Sequence, residues 1–253
     1  MEGIKVSDRV RAGCVALAAG GMVAINAVTA SRISAVEEPD QPGVIDPASW
    51  AFAIWGVIFL LALVYAGYQM RARNLDRDLM RSTGWWMAAT FAVTATWPVM
   101  VVNGRDVTAH VLLIMMWGLL SVVFLRLARQ PGLTRADRWF MGLLVAINFG
   151  WITAANAVSL FSRLTAAGVV TPHGAGNLVG IGLLICTALI ATWMIRQGQR
   201  GPVLLWGAYA LTIAWAIVAI VANQPALASP GVFGAAIAAI PVSLIVIRGL
   251  RGA

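Results

Sequence analysis

Pro47–Ala48–Ser49–Trp50–Ala51–Phe52–Ala53–Ile54–Trp55–Gly56–Val57–Ile58–Phe59 opens an apolar run that reaches Tyr68–Gln69 without meeting a charge; Arg71 is the first. A bilayer core about 30 Å thick takes roughly 20 apolar residues as helix, and Trp50–Tyr68 is such a run. Helix is the conformation open to it, because lipid supplies no partner for an unpaired backbone amide. Val10–Ala30 precedes it, and Gly84–Val102, Val107–Leu125, Phe140–Phe161, Gly176–Ile195, Val203–Val221 and Gly231–Ile247 follow. The alternating segments of a membrane β-barrel are missing. The expected fold class is an all-α polytopic membrane bundle of about eight transmembrane helices, one membrane domain over residues 1–253.

Composition agrees. Of the 253 residues 60% are hydrophobic and 11% charged, against about 25% charged in soluble domains. A soluble enzyme, a disordered chain and a collagen-like chain are excluded. Cys14 and Cys186 both sit in apolar runs and make neither a disulfide framework nor a thiolate zinc site. The net charge of +8 is a matter of topology. The N-terminus, the even-numbered connections and the C-terminus carry Lys5, Arg9, Arg11, Arg71, Arg73, Arg77, Arg81, Arg126, Arg129, Arg135, Arg138, Arg196, Arg200, Arg248 and Arg251. The other side carries Arg32, Arg105 and Arg163. Positive residues stay cytoplasmic, so both termini are expected inside a bacterial inner membrane. Scattered loop arginines without interleaved aromatics exclude a nucleic-acid partner; membrane lipid is the partner this surface requires. A cleaved signal ending near Thr29–Ala30–Ser31 is disfavoured by the length of the first run.

No Asp, Glu, Lys or Arg lies mid-span, whereas such charges usually mark proton relays and ion paths. No Ser-His-Asp set, carboxylate pair or phosphate-cradling loop is visible, so the chain reads as a non-enzyme without catalytic residues. His110 and His173, the two histidines, lie near the outer interface with no placed carboxylate, and no metal site is expected. The connection Ser31 to Ser49 is the long one, with Glu37, Glu38, Asp40, Asp46, Pro39, Pro42 and Pro47. It reads equally as a binding-loop lid or as a solvated acidic loop.

The chemistry available inside the bilayer is neutral and concentrated in 11 tryptophans. Trp86, Thr90, Thr94 and Trp97 follow helical spacing and form one stripe. Phe52, Trp55 and Phe59 form another. Asn148 and Trp151 share a face of the fifth span, with Asn156 a quarter turn away. An aromatic wall with a few amides and hydroxyls describes a pocket for a flat apolar ligand; the same residues also suit plain gap-filling between helices, with Asn side chains bonding across. Pro98 is expected to kink its helix.

The two halves of the chain echo each other. Ile25–Asn26–Ala27–Val28 with Arg32 matches Ala155–Asn156–Ala157–Val158 with Arg163; Asp8–Arg9 matches Asp137–Arg138. Trp97 and Asn103 match Trp215 and Asn223, and Ser121, Arg126, Arg129 match Ser243, Arg248, Arg251. Four helices per unit predict a 4+4 parallel repeat. Gly20–Gly21 and Gly180–Gly182 suit close helix packing within one chain or in a homodimer.

The Pro47–Phe59 stretch with Tyr68–Gln69 resembles the signature of the TspO/MBR group, the tryptophan-rich sensory proteins, and is closest to their longer bacterial relatives. Trp97–Pro98 resembles the group's third-helix Trp-Pro, and Gly150–Trp151–Ile152–Thr153 with Asn156 resembles the fifth helix of the longer relatives. The likeness spans residues 10–163 as a five-helix core, leaving 176–249 as three additional helices. The chain departs from the short members in having only Pro47, a three-residue step from Phe52 to Trp55, and Ala155–Asn156 where they have Leu-Asn. The resemblance implies a membrane sensor or binding protein for a hydrophobic small molecule, tetrapyrrole-like (a porphyrin or haem) or sterol/isoprenoid-like, and no fixed cofactor. With the stripes above, the ligand-lining residues are Trp50, Phe52, Trp55, Trp86, Thr94, Trp97, Asn148, Trp151 and Asn156. The alternative is an uncoupled transporter or exporter with its pathway between two four-helix halves.

Overall fold

The computed structural model describes residues 4–37 and 43–252; Glu38, Pro39, Asp40 and Pro42 of the long connection lie outside the described residues, as does the side chain of Glu37. Among the described residues the eight long helices are α1 (Val6–Glu37), α2 (Ile54–Met70), α3 (Asp78–Val102), α4 (Asp106–Arg129), α5 (Leu143–Ala166), α6 (Gly176–Gly198), α7 (Val203–Ala222) and α8 (Pro230–Arg251). All eight are long and apolar enough to cross a membrane, and the chain is a multi-pass membrane protein. No strand occurs among the described residues. A single tight turn, Ser49–Ala53, leads into α2. Thr134 and Asp137 form a reciprocal cap at the entry to the fifth span, which satisfies two donors that a helix start leaves open. The short α3–α4 and α4–α5 connections turn at Gly104 (φ +65°) and Gly132 (φ +71°), a backbone region glycine enters without penalty. α3 continues through Pro98.

The helices close into a ring. α1 packs on α2 and α3, α3 on α4, α4 on α5, and α5 returns to α2. The order around the ring is therefore α1, α2, α5, α4, α3. α7 lies along α5 outside the ring, and α6 and α8 pair beside it. Three pairings of the first four helices have counterparts in the last four, α5 on α7, α5 on α6 and α7 on α8, but α6 on α8 and α6 on α7 have none of like extent among the described residues of the first half.

Apolar burial does not drive helices together in lipid; close packing does. Val15, Ala19, Met22, Ile58, Tyr65, Met87, Phe91, Met116, Leu120, Val145 and Phe149 are fully buried in the ring. Phe124, Phe149 and Tyr209 join α4, α5 and α7 with ring centroids 5.0–5.4 Å apart. At Gly150 a β-carbon would stand 2.8 Å from Thr212 Cβ and 3.0 Å from the Tyr209 carbonyl, so the α5–α7 crossing needs glycine there.

The charged residues at the helix starts are buried rather than left in water. Asp8 accepts from Arg11 Nη1 at 2.8 Å, Arg81 Nε at 2.9 Å and Arg81 Nη2 at 2.8 Å. Asp137, with no exposed surface, accepts from Arg77 at 2.8 and 2.6 Å, Tyr68 Oη at 2.9 Å and Thr134 Oγ1 at 2.6 Å. The bond to Asp137 pushes the Arg77 guanidinium above its ordinary range, against its own partial desolvation. Arg77 and Arg81, one helical turn apart, thus tie the start of α3 to Asp137 at the entry to the fifth span and to the start of α1. This pairing explains why α1 begins at Val6, a turn before the apolar run Val10–Ala30.

Candidate ligand-binding site

The ring order brings together, at the end away from the paired arginines, side chains from α2, α3 and α5. Phe52 meets Trp151 edge to face, centroids 5.5 Å apart at 84°. Trp55 lies nearly parallel to Trp97 at 6.3 Å and 23°, and to Phe59 at 5.6 Å and 27°. Trp97 and Trp151 are buried, while Phe52 and Trp55 are half-buried. These four expected residues form two aromatic pairs, joined through the chain by the three-residue step from Phe52 to Trp55.

Two expected residues fall elsewhere. Trp50 is 43% exposed and sits edge-on to Trp215 of α7, centroids 4.8 Å apart. The turn Ser49–Ala53 rotates it away from the ring that Phe52 enters. Trp86 lies eleven residues before Trp97, about 16 Å along the helix axis, and its ring is covered by the Arg126 guanidinium at 5.2 Å.

The polar candidates divide in the same way. Thr94 is fully buried, but its hydroxyl donates back to the Thr90 carbonyl at 2.8 Å and touches Met116 Sδ at 3.1 Å. Pro98 has no N–H to offer the carbonyl one turn back; Asn26 of α1 donates to that Thr94 carbonyl at 3.5 Å. Asn156 donates to the Leu113 carbonyl at 3.3 Å and to Ile152 at 2.7 Å, so it bridges α5 to α4 rather than facing the ring interior. Asn148 has no exposed surface, and neither its Nδ2 nor its Oδ1 has a hydrogen-bond partner among the described residues. It shares its face of α5 with Trp151, one turn on, and that face continues into the wider turn Arg138–Gly142 before α5, where the Met141 sulfur is 4.0 Å from the Thr83 hydroxyl of α3. That face looks into the ring.

Asn156 belongs to a polar seam that the sequence reading missed. Arg163 pairs with Asp106 at 2.7 Å, Ser159 with His110 Nδ1 at 3.0 Å, Asn156 with the Leu113 carbonyl, and Trp117 Nε1 donates to Thr153 Oγ1 at 3.2 Å. The Tyr209 hydroxyl of α7 donates to the same Thr153 oxygen at 3.1 Å. The rungs recur every helical turn on both helices, and that antiparallel spacing was the available signal.

The described half of the long connection is seated on α5 to α8. Val44 and Ile45 are buried, and Gly43 lies against Phe161. Asp46 Oδ2 accepts from the Gly43 N–H at 2.7 Å, while burial pushes the carboxyl above its usual range.

No curated protein matches this chain, and no solved structure does. The family model of the TSPO-like proteins matches residues 12–248, reaching through α6, α7 and α8 beyond the 10–163 core that carries the motifs. The chain belongs to the TSPO-like protein family.

Proposed function

We propose that the protein binds a planar, mostly apolar small molecule of the tetrapyrrole or sterol/isoprenoid kind inside the five-helix ring, and that it acts as a membrane sensor or receptor without catalysing a reaction. Asn148 carries this reading: a buried donor or acceptor left unsatisfied costs about 1–3 kcal/mol, and amides of this kind are normally paired. A polar group on a ligand recovers that loss. The rings of Phe52, Trp55, Trp97 and Trp151 supply apolar walls one to two turns away. In this reading the arginine-rich end faces the cytoplasm of a bacterial inner membrane, closed by the Asp8 and Asp137 ion pairs, and the aromatic end faces the opposite side. A transport path between two four-helix halves would run along the α4–α5 boundary, which the polar seam holds together; that counts against the alternative.

The test is titration of purified protein with protoporphyrin IX, read by the porphyrin's own absorbance. Trp55→Ala and Trp97→Ala are expected to weaken binding roughly tenfold, the order of one lost aromatic wall. Equal affinity in wild type and both variants removes the support for this site. Solute flux into proteoliposomes discriminates the transporter.

A further inference from the structure

α7 stands outside the five-helix ring, yet it holds the strap Gly43–Ala53 by that strap's backbone. The Ala48 N–H donates to the Ala219 carbonyl at 2.9 Å, in the last turn of α7, and that oxygen also accepts from the Asn223 N–H at 3.2 Å. Asn223 Nδ2 donates to the Asp46 carbonyl at 3.1 Å, and Gln224 Nε2 to the Val44 carbonyl at 3.3 Å. Trp215 Nε1 donates to the Ala51 carbonyl at 3.1 Å, and its ring sits against Trp50. Trp215 therefore grips the chain on both sides of the link that leads to Phe52. Ala51 has no exposed surface, and the next side chain, Phe52, is the one packed on Trp151.

Backbone acceptors give this hold its character. Any sequence in the strap offers the same carbonyls, so the specificity lies in α7: an indole N–H, two amides and a helix-end carbonyl, spaced over two turns. The apolar seat adds Val44 against Gly180 of α6.

We propose that Trp215 and Asn223 are positioning residues for the ligand site: they fix the strap, through it Phe52 on Trp151, and so set the rate at which a ligand enters and leaves. The rate part rests on the binding reading above; the hold itself does not. Asn223→Asp keeps the shape and removes the donor, and Trp215→Phe keeps a ring and removes the N–H. Hydrogen exchange of residues 43–53 is measured in full-length, ligand-free protein in lipid nanodiscs. Losing two hydrogen bonds of ordinary net worth predicts roughly tenfold faster exchange in the double variant, confined to the strap. Asn223→Gln, which keeps the amide, is expected to retain most of the protection, and Trp193→Phe on the exposed face of α6 all of it. Protoporphyrin IX is then expected to associate and dissociate faster by similar factors in the double variant, with little change in Kd, whereas Trp97→Ala changes Kd without altering strap exchange. Unchanged strap exchange overturns the proposal, and so does faster exchange with unchanged porphyrin rates. Exchange that rises equally throughout the ring marks a general loss of packing and overturns it as well. If wild type binds no porphyrin, the binding reading falls, and the exchange data alone uphold or overturn the hold of α7.

Discussion

Replacing Asn148 by leucine is expected to stabilise the protein and impair it together. Asn148 is fully buried, and both ends of its amide lack a partner among the described residues. Leucine has nearly the same size and removes both orphan groups, and replacement of unsatisfied polar groups by apolar ones of similar shape is neutral to stabilising. The desolvation penalty relieved is about 1–3 kcal/mol, offset by imperfect packing of the new methyl groups at about 1 kcal/mol. The net expectation is about 0–2 kcal/mol greater resistance to unfolding in SDS titration. Binding moves in the opposite direction. One ligand hydrogen bond of about 0.5–1.5 kcal/mol is lost, which weakens Kd roughly two- to tenfold. A variant that is less stable than wild type by 1 kcal/mol or more refutes the reasoning, since the amide would then have a structural partner. A variant that is more stable with unchanged porphyrin affinity separates Asn148 from the ligand.

The other expectations concern the frame. Arg77→Ala leaves the buried Asp137 carboxylate with only Tyr68 and Thr134, and is expected to destabilise by about 3 kcal/mol; Arg77→Ala with Asp137→Asn recovers part of this, read in the same SDS titration. Gly150→Ala gains about 1 kcal/mol of helix propensity but places a methyl group against Thr212 and the Tyr209 carbonyl, and overpacking at about 1–3 kcal/mol is expected to leave it less stable. Asp46 has a raised carboxyl pKa when the strap is docked, so docking is strongest below the ordinary carboxylate range and weakens as pH rises through the raised value. Asp46→Asn is accordingly expected to slow hydrogen exchange of residues 43–48 at pH 7, with the difference closing in acid.

Hydropathy and the placement of arginines were enough to count the helices, because lipid imposes both rules on each segment separately. They missed the first turn of α1, where Asp8 is buried and shared between Arg11 of the next turn and Arg81 of α3; a hydropathy window counts such charges as solvated. Helical spacing assigned Phe52, Trp55, Trp97 and Trp151 to inward stripes, and the ring brings those four together. Spacing specifies a face, but neither the depth nor the neighbour. Trp86 shares a stripe with Trp97 and ends about three turns away beneath Arg126. Asn148 and Asn156 lie a quarter turn apart, and the order of helices around the ring gives one an interior and the other the backbone of α4. Trp215 and Asn223 were legible only as echoes of Trp97 and Asn103, since their partners are backbone carbonyls of a connection far away in sequence.

The four polar rungs between α4 and α5 have a mechanical consequence. A slip of one turn, about 5.4 Å, sets Arg163 against His110 and Ser159 against Leu113, so the Arg163–Asp106 ion pair and the Ser159–His110 bond are lost together. The pair behaves as a stiff plate with a single permitted alignment. A change of shape in the ring then falls on its slimmest contact, α2 against α5, since α1 and α3 are themselves locked by extensive packing and the Asp8–Arg81 ion pair.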